Sequence, residues 1–212
     1  MNSTQMLVIA KAPVPGRVKT RLCPPCNPTQ AATVAEAALA DTLAAARAVP
    51  AVRHTVVLSG RWTVPAGWCG VGQRGHELGE RMAHAFADTA LPGVASLLIG
   101  MDTPQVDAAL LADVAVGLDR ADAVLAPAED GGWWALALRN AAHASVLRGV
   151  PMSRPDTGSR TVAALCSAGL RVTRGPTLRD VDTAVDAWAV AGHAPHGRFA
   201  AAVRAHIPVT TR

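Results

Sequence analysis

The chain has 212 residues, of which half are hydrophobic and only 17% are charged, so long disordered segments are not expected. Its five Trp, two Phe and absent Tyr predict a core made mainly of Ala, Val and Leu. The net charge of +4 comes mostly from Arg spread along the chain, without a basic run interleaved with aromatics, which favours an anionic small-molecule ligand over nucleic acid.

The cysteines and the N-terminal residues bear on the location of the protein. Cys23 and Cys26 form a CxxC, but no second CxxC or matched His pair completes a zinc site. A redox CxxC should open a helix, whereas Pro24 and Pro25 indicate a loop, so structural cysteines are favoured. No positively charged segment precedes the first apolar run, and no apolar stretch is long enough for a membrane span. We therefore expect a cytoplasmic protein without membrane contact.

The first half of the chain alternates apolar strands with helices. Asn27 is a predicted N-cap, and Pro28 stands at the first position of an Ala-rich helix. The predicted elements are a strand at 6–11, a helix at 29–49, a strand at 53–59, a short strand at 71–73 and a helix ending near 89.

The second half continues this alternation. After a strongly apolar strand at 95–100, Thr103 as N-cap and Pro104 at the first position predict a helix to about 118. Two glycines join the next two strands, so the second of these is expected to be antiparallel. The remaining predicted elements are strands at 122–127, 133–138 and 170–173, a short helix within 140–155, and helices at 159–168, 183–191 and 199–206.

This pattern predicts one α/β domain over residues 1–212, with a mainly parallel sheet. No repeat and no long linker divides the chain. In open sheets of this class, ligands bind outside the carboxyl ends of the strands. Candidate functional residues are therefore sought where predicted strands end.

A basic loop, Lys11–Leu22, follows the first strand. It contains both lysines of the chain, Lys11 and Lys19, together with two arginines, two prolines and one glycine. The prolines and the glycine fix the backbone where the cations have to converge, which favours a loop that binds phosphate groups. The alternative is an ordinary solvated basic loop.

Acidic residues follow three later predicted elements. Asp102 ends a buried strand, where it is either a metal ligand or a turn residue. Asp130 lies in Glu129–Gly132, which is either a tight turn or a place where a ligand approaches glycine backbone. Asp180 and Asp182 precede a helix, and either is a candidate N-cap. Together with the basic loop, such carboxylates would hold a Mg²⁺ or Mn²⁺ ion that bridges nucleotide phosphates.

In these segments the sequence resembles the nucleotide-diphospho-sugar transferase superfamily, and within it the DUF2064, or selenodomain-associated transferase-like, family. The resemblance implies a GT-A-like three-layer sandwich, with a mainly parallel, mixed central sheet and helices on both faces. The family's motifs appear in order at Lys11–Leu22, Gln73–Met82, Gly100–Pro104, Pro127–Trp134 and Asp180–Asp186.

The resemblance also implies roles for individual residues. Lys19 and Asp102 would be catalytic, and Asp102 and Asp182 would bind the metal, with Asp182 matching the second position better than Asp180. The acceptor side would be formed by Asp130, Gly131, Gly132 and Trp133. The residues that would bind the nucleotide are Lys11, Gly16, Arg17, Lys19, Arg21 and Gln73.

The sequence departs from the family pattern at several positions that are all candidates for the acceptor side. These are His76-Glu77, Met101, Trp133-Trp134 and Met152-Ser153-Arg154. The three acids Asp102, Asp130 and Asp182 are present, which argues against a non-catalytic binding module.

We therefore expect a metal-dependent nucleotidyltransferase. It would transfer a nucleoside monophosphate from a nucleoside triphosphate to a phosphorylated or phosphonate small molecule and release pyrophosphate. The alternative is a glycosyltransferase that uses a nucleotide sugar, although the D-x-D motif of such enzymes is absent at Asp102, because Gly100 stands two residues earlier. A nucleotide and a small-molecule acceptor are the expected partners, and a homodimer is a further possibility.

Overall fold

A computed structural model describes residues 3–209; the ends of the predicted domain, residues 1–2 and 210–212, lie outside the described part. Over residues 3–209, seven strands form one mixed sheet in the order β3-β2-β1-β4-β6-β5-β7. Only β6 runs antiparallel to its neighbours. The strands are β1 (Thr4–Lys11), β2 (His54–Ser59), β3 (Cys69–Gly72), β4 (Ala95–Gly100), β5 (Ala123–Pro127), β6 (Trp133–Leu138) and β7 (Val172–Arg174).

Helices cover both faces of the sheet, and α5 and α6 form an additional layer against α1. One face packs against α1 and α3, and the other against α2, α4 and a 3-10 helix at Ala141–Gly149. Within residues 3–209, no helix combines the length and the apolar character needed to cross a membrane. The helices are α1 (Pro28–Ala48), α2 (Leu78–Thr89), α3 (Ala108–Val116), α4 (Thr157–Ser167), α5 (Ala184–His193) and α6 (Arg198–His206).

The layers form because each strand carries apolar side chains on both of its faces. In β1, Met6 and Val8 pack on the α1 side, while Leu7 packs on the α2 side. Successive side chains of a strand point to opposite faces, so a strand covered on both sides reads as a continuous apolar run. The predicted fold class, a mainly parallel sheet between helical layers, is confirmed.

Several local predictions are also confirmed. Asn27 caps α1 by accepting a hydrogen bond from the Gln30 N–H at 2.9 Å, with Pro28 at the first helical position. The strand β6 is antiparallel to both β4 and β5, as the two glycines before it indicated.

The predicted start of α3 at Thr103-Pro104 is wrong. The helix begins at Ala108, and its N-cap is Asp107, whose carboxylate accepts from the Leu110 N–H at 2.8 Å. The preceding residues are held instead by a distant segment: the Gln105 side chain donates to the Arg179 carbonyl at 2.7 Å. This tertiary contact outweighs the capping pattern, so the chain between β4 and α3 forms a loop beside residues 179–181.

The sheet brings the predicted site segments together at one end of its strands. The parallel strands β1 and β4 end at Lys11 and Gly100, and the antiparallel strand β6 begins beside the end of β4, with Ile99 opposite Ala135. The basic loop, Asp102 and the turn before Trp133 therefore lie at the carboxyl-terminal end of the parallel strands.

Asp122 joins the start of β5 to the edge strand β7. Its carboxylate accepts from the Arg171 backbone N–H at 3.0 Å and from the guanidinium at 3.1 and 3.3 Å. The hydrogen bonds from the Arg171 side chain, followed by the one from its backbone, lower the pKa of Asp122 to about 2.

Asp122→Asn is therefore expected to lower the free energy of unfolding at neutral pH. A group with a lowered pKa stabilises the fold above its unfolded pKa of about 3.9, and this stabilisation is lost as the pH falls through the folded value. Urea unfolding of wild type and variant should give a difference that narrows between about pH 4 and about pH 2. The exposed Asp119 provides the control, as Asp119→Asn; an equal effect of both variants, or a difference independent of pH, would contradict this account.

Candidate active site

A cleft of about 620 Å³ opens at the carboxyl-terminal end of the parallel strands. The basic loop and residues 180–182 form one side. The opposite side is here called the second wall. It consists of the lining residues Trp133, His76, Leu78, Arg81, Met82, Met152, Ser153, Arg154 and Thr157. Asp102 and Thr103 follow the end of β4, the central strand, and lie between the two sides of the cleft. The cleft thus places cationic groups on both sides of a set of carboxylates.

Most of the sequence-predicted site residues line this cleft. Gly16 and Gly131 are the two that do not. The predicted residues in the lining are Lys11, Arg17, Lys19, Arg21, Gln73, Asp102, Asp130, Gly132, Trp133 and Asp182.

The basic loop is shaped by a tight turn and anchored at its far end. Gly16 has a φ of +75°, which favours glycine, and the Arg17 N–H donates to the Val14 carbonyl at 3.0 Å. Leu22 is fully buried beneath α5 and α6, in a cluster that includes Val181. This anchor fixes the position from which the cations reach the cleft.

Lys19 connects the basic loop to two other segments. Its side chain is only 5% exposed, its Nζ lies 2.5 Å from Asp102 Oδ1, and it donates a hydrogen bond to the Val181 carbonyl. The Val181 N–H in turn donates to the Asp102 carbonyl at 2.9 Å. A buried ammonium group needs such partners. In this structure Lys19 is therefore the counter-ion of Asp102, and its predicted contact with nucleotide phosphates stays a prediction.

Asp180 is a partly buried carboxyl group at the same place. Burial, followed by the negative charges of Asp102 and Asp130, raises its pKa to about 7 against the opposing charge of Lys19. Its Oδ1 is buried, and the described residues offer it no hydrogen-bond partner. The buried Thr103 hydroxyl beside Asp102 is likewise without a partner among the described residues. Two buried polar groups thus face the cleft without their usual hydrogen bonds.

Asp182, the predicted second metal ligand, is engaged differently. Its carboxylate accepts from the Arg21 guanidinium at 2.6 Å, and both side chains are largely exposed. Its role in metal binding stays a prediction, with Asp180 as the alternative second ligand.

The donor set at Asp102 and Asp180 fits Mg²⁺ or Mn²⁺. Within residues 3–209, no group of three or more His, Cys, Asp or Glu side chains forms a complete metal cage. Mg²⁺, however, is usually held by one or two carboxylates together with waters and substrate phosphates. Two carboxylates, one with an unpartnered buried oxygen, match that mode, and the phosphates would supply the remaining ligands.

The turn before β6 is packed against protein backbone. Asp130 Oδ1 accepts from the Gly132 N–H at 2.8 Å. A Cβ on Gly131, which has a φ of +89°, would lie 1.9 Å from the Pro155 carbonyl oxygen. The Gly131 carbonyl also accepts from the Gly158 N–H at 2.8 Å. At Gly131, protein backbone therefore occupies the space in which sequence analysis allowed a ligand to approach.

Gln73 is held at the end of the strands β1 and β2. Its side-chain amide donates to the carbonyls of Ala10 at 2.8 Å and Val57 at 3.0 Å. Both hydrogens of the amide are thereby used, so the orientation of the side chain is fixed and Oε1 is left as an acceptor. Its predicted contact with the nucleotide stays a prediction.

The second wall combines two residues without a predicted role and three that were candidates for the acceptor side. Arg81 and Leu78 belong to α2, whose first turns reach the cleft. His76, Met152 and Arg154 also line it, and all three occur where the sequence departs from the family pattern. Those departures were the available signal. Trp134 also borders the cleft, but it is only 3% exposed and packs in the core on the α1 side.

Comparison with known families gives one match. Residues 30–154 match the family DUF2064, described as "Uncharacterized protein conserved in bacteria". This range includes Asp102 and Asp130, whereas the basic loop and Asp180–Asp186 lie outside it. A search of curated protein sequences finds no match.

Comparison with solved structures gives several similar proteins. A candidate nucleotide-diphospho-sugar transferase from Desulfovibrio desulfuricans is 27% identical, with a TM-score of 0.86 over 97% of this chain and 95% of the other. A 2-C-methyl-D-erythritol 4-phosphate cytidylyltransferase from Thermus thermophilus is 18% identical, with a TM-score of 0.51 over 83% and 89% of the two chains. Rv0371c of Mycobacterium tuberculosis, in complex with manganese, is 21% identical, with a TM-score of 0.51 over 89% and 98%. The last two likenesses concern the fold.

The contact between Gly131 and Pro155 leads to a stability prediction. Gly131→Ala would place a methyl group against immobile backbone, whereas Gly169, with a similar φ of +83°, has open space around its missing Cβ. Gly169→Ala should cost about 1–2 kcal/mol of unfolding free energy from the positive φ alone. Gly131→Ala should cost at least about 2 kcal/mol more. Chemical denaturation measures both; equal losses would contradict the packing described here.

Proposed function

This chain belongs to the DUF2064 family, and from that premise we propose that it is a metal-dependent nucleotidyltransferase. It transfers a nucleoside monophosphate from a nucleoside triphosphate to a phosphorylated or phosphonate small molecule, with release of pyrophosphate.

The observation that carries the proposal is the meeting of the basic loop with two carboxylates in one cleft, the half-exposed Asp102 and the partly buried Asp180. Lys11, Arg17 and Arg21 line the same cleft as Asp102 and Asp180. A triphosphate needs cations along its length, and carboxylates beside it have no favourable contact with phosphate unless a cation lies between them. A nucleotide with a bound divalent ion satisfies both sets of groups.

The transfer follows from this arrangement. An oxygen of the acceptor's phosphate or phosphonate attacks the α-phosphorus in line, and the bond from that phosphorus to the bridging oxygen of the β-phosphate breaks. Pyrophosphate leaves with the electron pair of that bond. The basic loop stabilises the charge that builds on the leaving group, because its cations are already in place when the charge develops.

Asp102 and Asp180 would hold the divalent ion, with Asp182 as the alternative second ligand. When bound, the ion neutralises phosphate charge. Lys19 keeps Asp102 at the end of β4 and shields it from the other carboxylates of the cleft. An ion held by Asp102 would neutralise this carboxylate in place of Lys19, which would leave the Lys19 ammonium group available to the phosphates.

A glycosyltransferase is the second candidate. It is supported by the similar protein from Desulfovibrio desulfuricans, which is described as a candidate nucleotide-diphospho-sugar transferase. The same basic loop would then stabilise a departing nucleoside diphosphate. A cytoplasmic location and a homodimer stay predictions.

Product analysis distinguishes the two reactions. The protein is incubated with each nucleoside triphosphate, Mg²⁺ and a panel of phosphorylated and phosphonate compounds, and pyrophosphate is measured. A parallel set with nucleotide sugars measures free nucleoside diphosphate. We expect pyrophosphate in the first set, and a loss of at least about 100-fold in Asp102→Asn. Nucleoside diphosphate in the second set, without pyrophosphate in the first, would contradict the proposal.

Metal binding tests the carboxylates individually. Asp102→Asn and Asp180→Asn should each weaken Mn²⁺ binding in the presence of nucleotide by at least about tenfold, because each removes an oxygen ligand. Asp182→Asn should change it by less than about threefold, since Asp182 is paired with Arg21. Electron paramagnetic resonance of free Mn²⁺ gives the affinities without turnover. A loss with Asp182→Asn but not with Asp180→Asn would restore Asp182 as the second ligand.

A further inference from the structure

We propose that the second wall is an acceptor subsite for an organic anion with an apolar body, such as a phosphonate or phosphate monoester on an aromatic or aliphatic group. This inference rests on the proposed function, whose acceptor it narrows.

Apolar side chains give the second wall its character. Leu78, Met82, Trp133 and Met152 line the cleft, and Leu78 is 43% exposed although it is a large apolar residue. Met and aromatic side chains adapt well to the irregular surfaces of ligands. A ligand that covers these side chains would remove their apolar surface from water.

Two arginines place positive charge beside this apolar surface. Arg81 and Arg154 line the cleft on the second wall, across from the basic loop. Arg81 uses its Nε–H on the Gly75 carbonyl at 3.1 Å, and Arg154 directs its Nε toward Asp156 at 3.4 Å. Among the described residues, the terminal nitrogens of both have no hydrogen-bond partner. Guanidinium groups with free donors match the oxygens of a phosphate or phosphonate.

The second wall offers an uncharged polyol few hydrogen-bond acceptors, among which the His76 ring and the Ser153 hydroxyl line the cleft. The carboxylates that line the cleft are Asp102, Asp130, Asp180 and Asp182, and none belongs to the second wall. The Thr157 hydroxyl is already used, since it donates to the Pro151 carbonyl and accepts from the Arg154 N–H, both at 3.0 Å. Sugar hydroxyls donate hydrogen bonds and need acceptors, whereas the free groups that dominate this wall are the guanidinium donors of Arg81 and Arg154. The chemistry of this wall therefore favours an anionic head group and an apolar body.

A hydrogen-bond chain fixes the aromatic ring relative to the arginine. The Trp133 indole N–H donates to the Thr161 hydroxyl at 3.2 Å, and that hydroxyl donates to the Thr157 carbonyl at 2.8 Å. Thr157 holds the Arg154 backbone as described above. Both threonines are at least 96% buried, so the chain is protected from water. The apolar and charged parts of the subsite are thus pre-organised by the first two turns of α4, and Thr161 is a positioning residue.

Direct binding tests the proposal without turnover. Isothermal titration of the full chain, with and without a saturating non-hydrolysable nucleoside triphosphate, compares three probes: phenylphosphonate, glycerol 1-phosphate and benzyl alcohol. We expect phenylphosphonate to bind at least about tenfold more tightly than either of the others, because only it has both an anionic head and an apolar body.

Variants locate the binding. Arg154→Gln should weaken phenylphosphonate binding by about tenfold or more. The control is Arg120, an exposed arginine that precedes β5 at the opposite end of the strands. Arg120→Gln should change the binding by less than about twofold. Thr161→Val should weaken phenylphosphonate binding more than glycerol 1-phosphate binding, because it frees the Trp133 ring and leaves the charges in place. Thermal melting confirms that each variant is folded.

Four outcomes would overturn the proposal: no binding of phenylphosphonate in either condition, equal affinity for glycerol 1-phosphate, equal affinity for benzyl alcohol, or equal effects of Arg154→Gln and Arg120→Gln. Binding as expected without pyrophosphate release in the product assay would refute the proposed function and leave the subsite intact. Pyrophosphate release with unselective binding would refute the subsite alone.

Discussion

The ion pair between Lys19 and Asp102 is the contact on which the cleft depends. It joins the basic loop to the end of β4, and through the Val181 carbonyl it also joins the segment before α5. These three segments are far apart in the sequence and meet only when the sheet and the outer helices are assembled. The ammonium group also offsets the mutual repulsion of the carboxylates that face the cleft. Without a cation at this position, burial of Asp180 beside Asp102 would be more costly.

The two sides of the cleft are built by different physical means. The basic loop is anchored by Leu22 in the core between α1, α5 and α6. The Lys19 side chain is buried, whereas Lys11, Arg17 and Arg21 lie at the surface. The second wall is held by backbone contacts between the glycine turn and α4, where Gly131 and Gly158 have no room for a side chain. One side of the cleft is thus a rigid turn, and the other is a loop anchored at its end. Such an arrangement is suited to hold an anionic acceptor in line with a nucleotide.

The sequence predicted what depends on local order and missed what depends on distant contacts. The sheet and most helices could be predicted because their signals act within a few residues. These signals are the apolar strand segments, the Asn27 cap and the glycine pair before β6. The start of α3 could not, because Gln105 is held by Arg179, a residue 74 positions away. For the same reason, the pairing of Lys19 with Asp102 and the burial of Asp180 were not visible in the sequence. On the second wall, His76, Met152 and Arg154 were visible as departures from the family pattern. Leu78 and Arg81 had no predicted role.

The central claim is that nucleotide phosphates and a divalent ion bind between the basic loop and the carboxylates of Asp102 and Asp180. Anomalous diffraction from crystals grown with Mn²⁺ and a non-hydrolysable nucleoside triphosphate tests it most directly. The account predicts a Mn²⁺ peak in contact with Asp102 and Asp180, with the triphosphate along Lys11, Arg17 and Arg21. A triphosphate bound away from the basic loop, or a Mn²⁺ peak that does not touch Asp102, would contradict it.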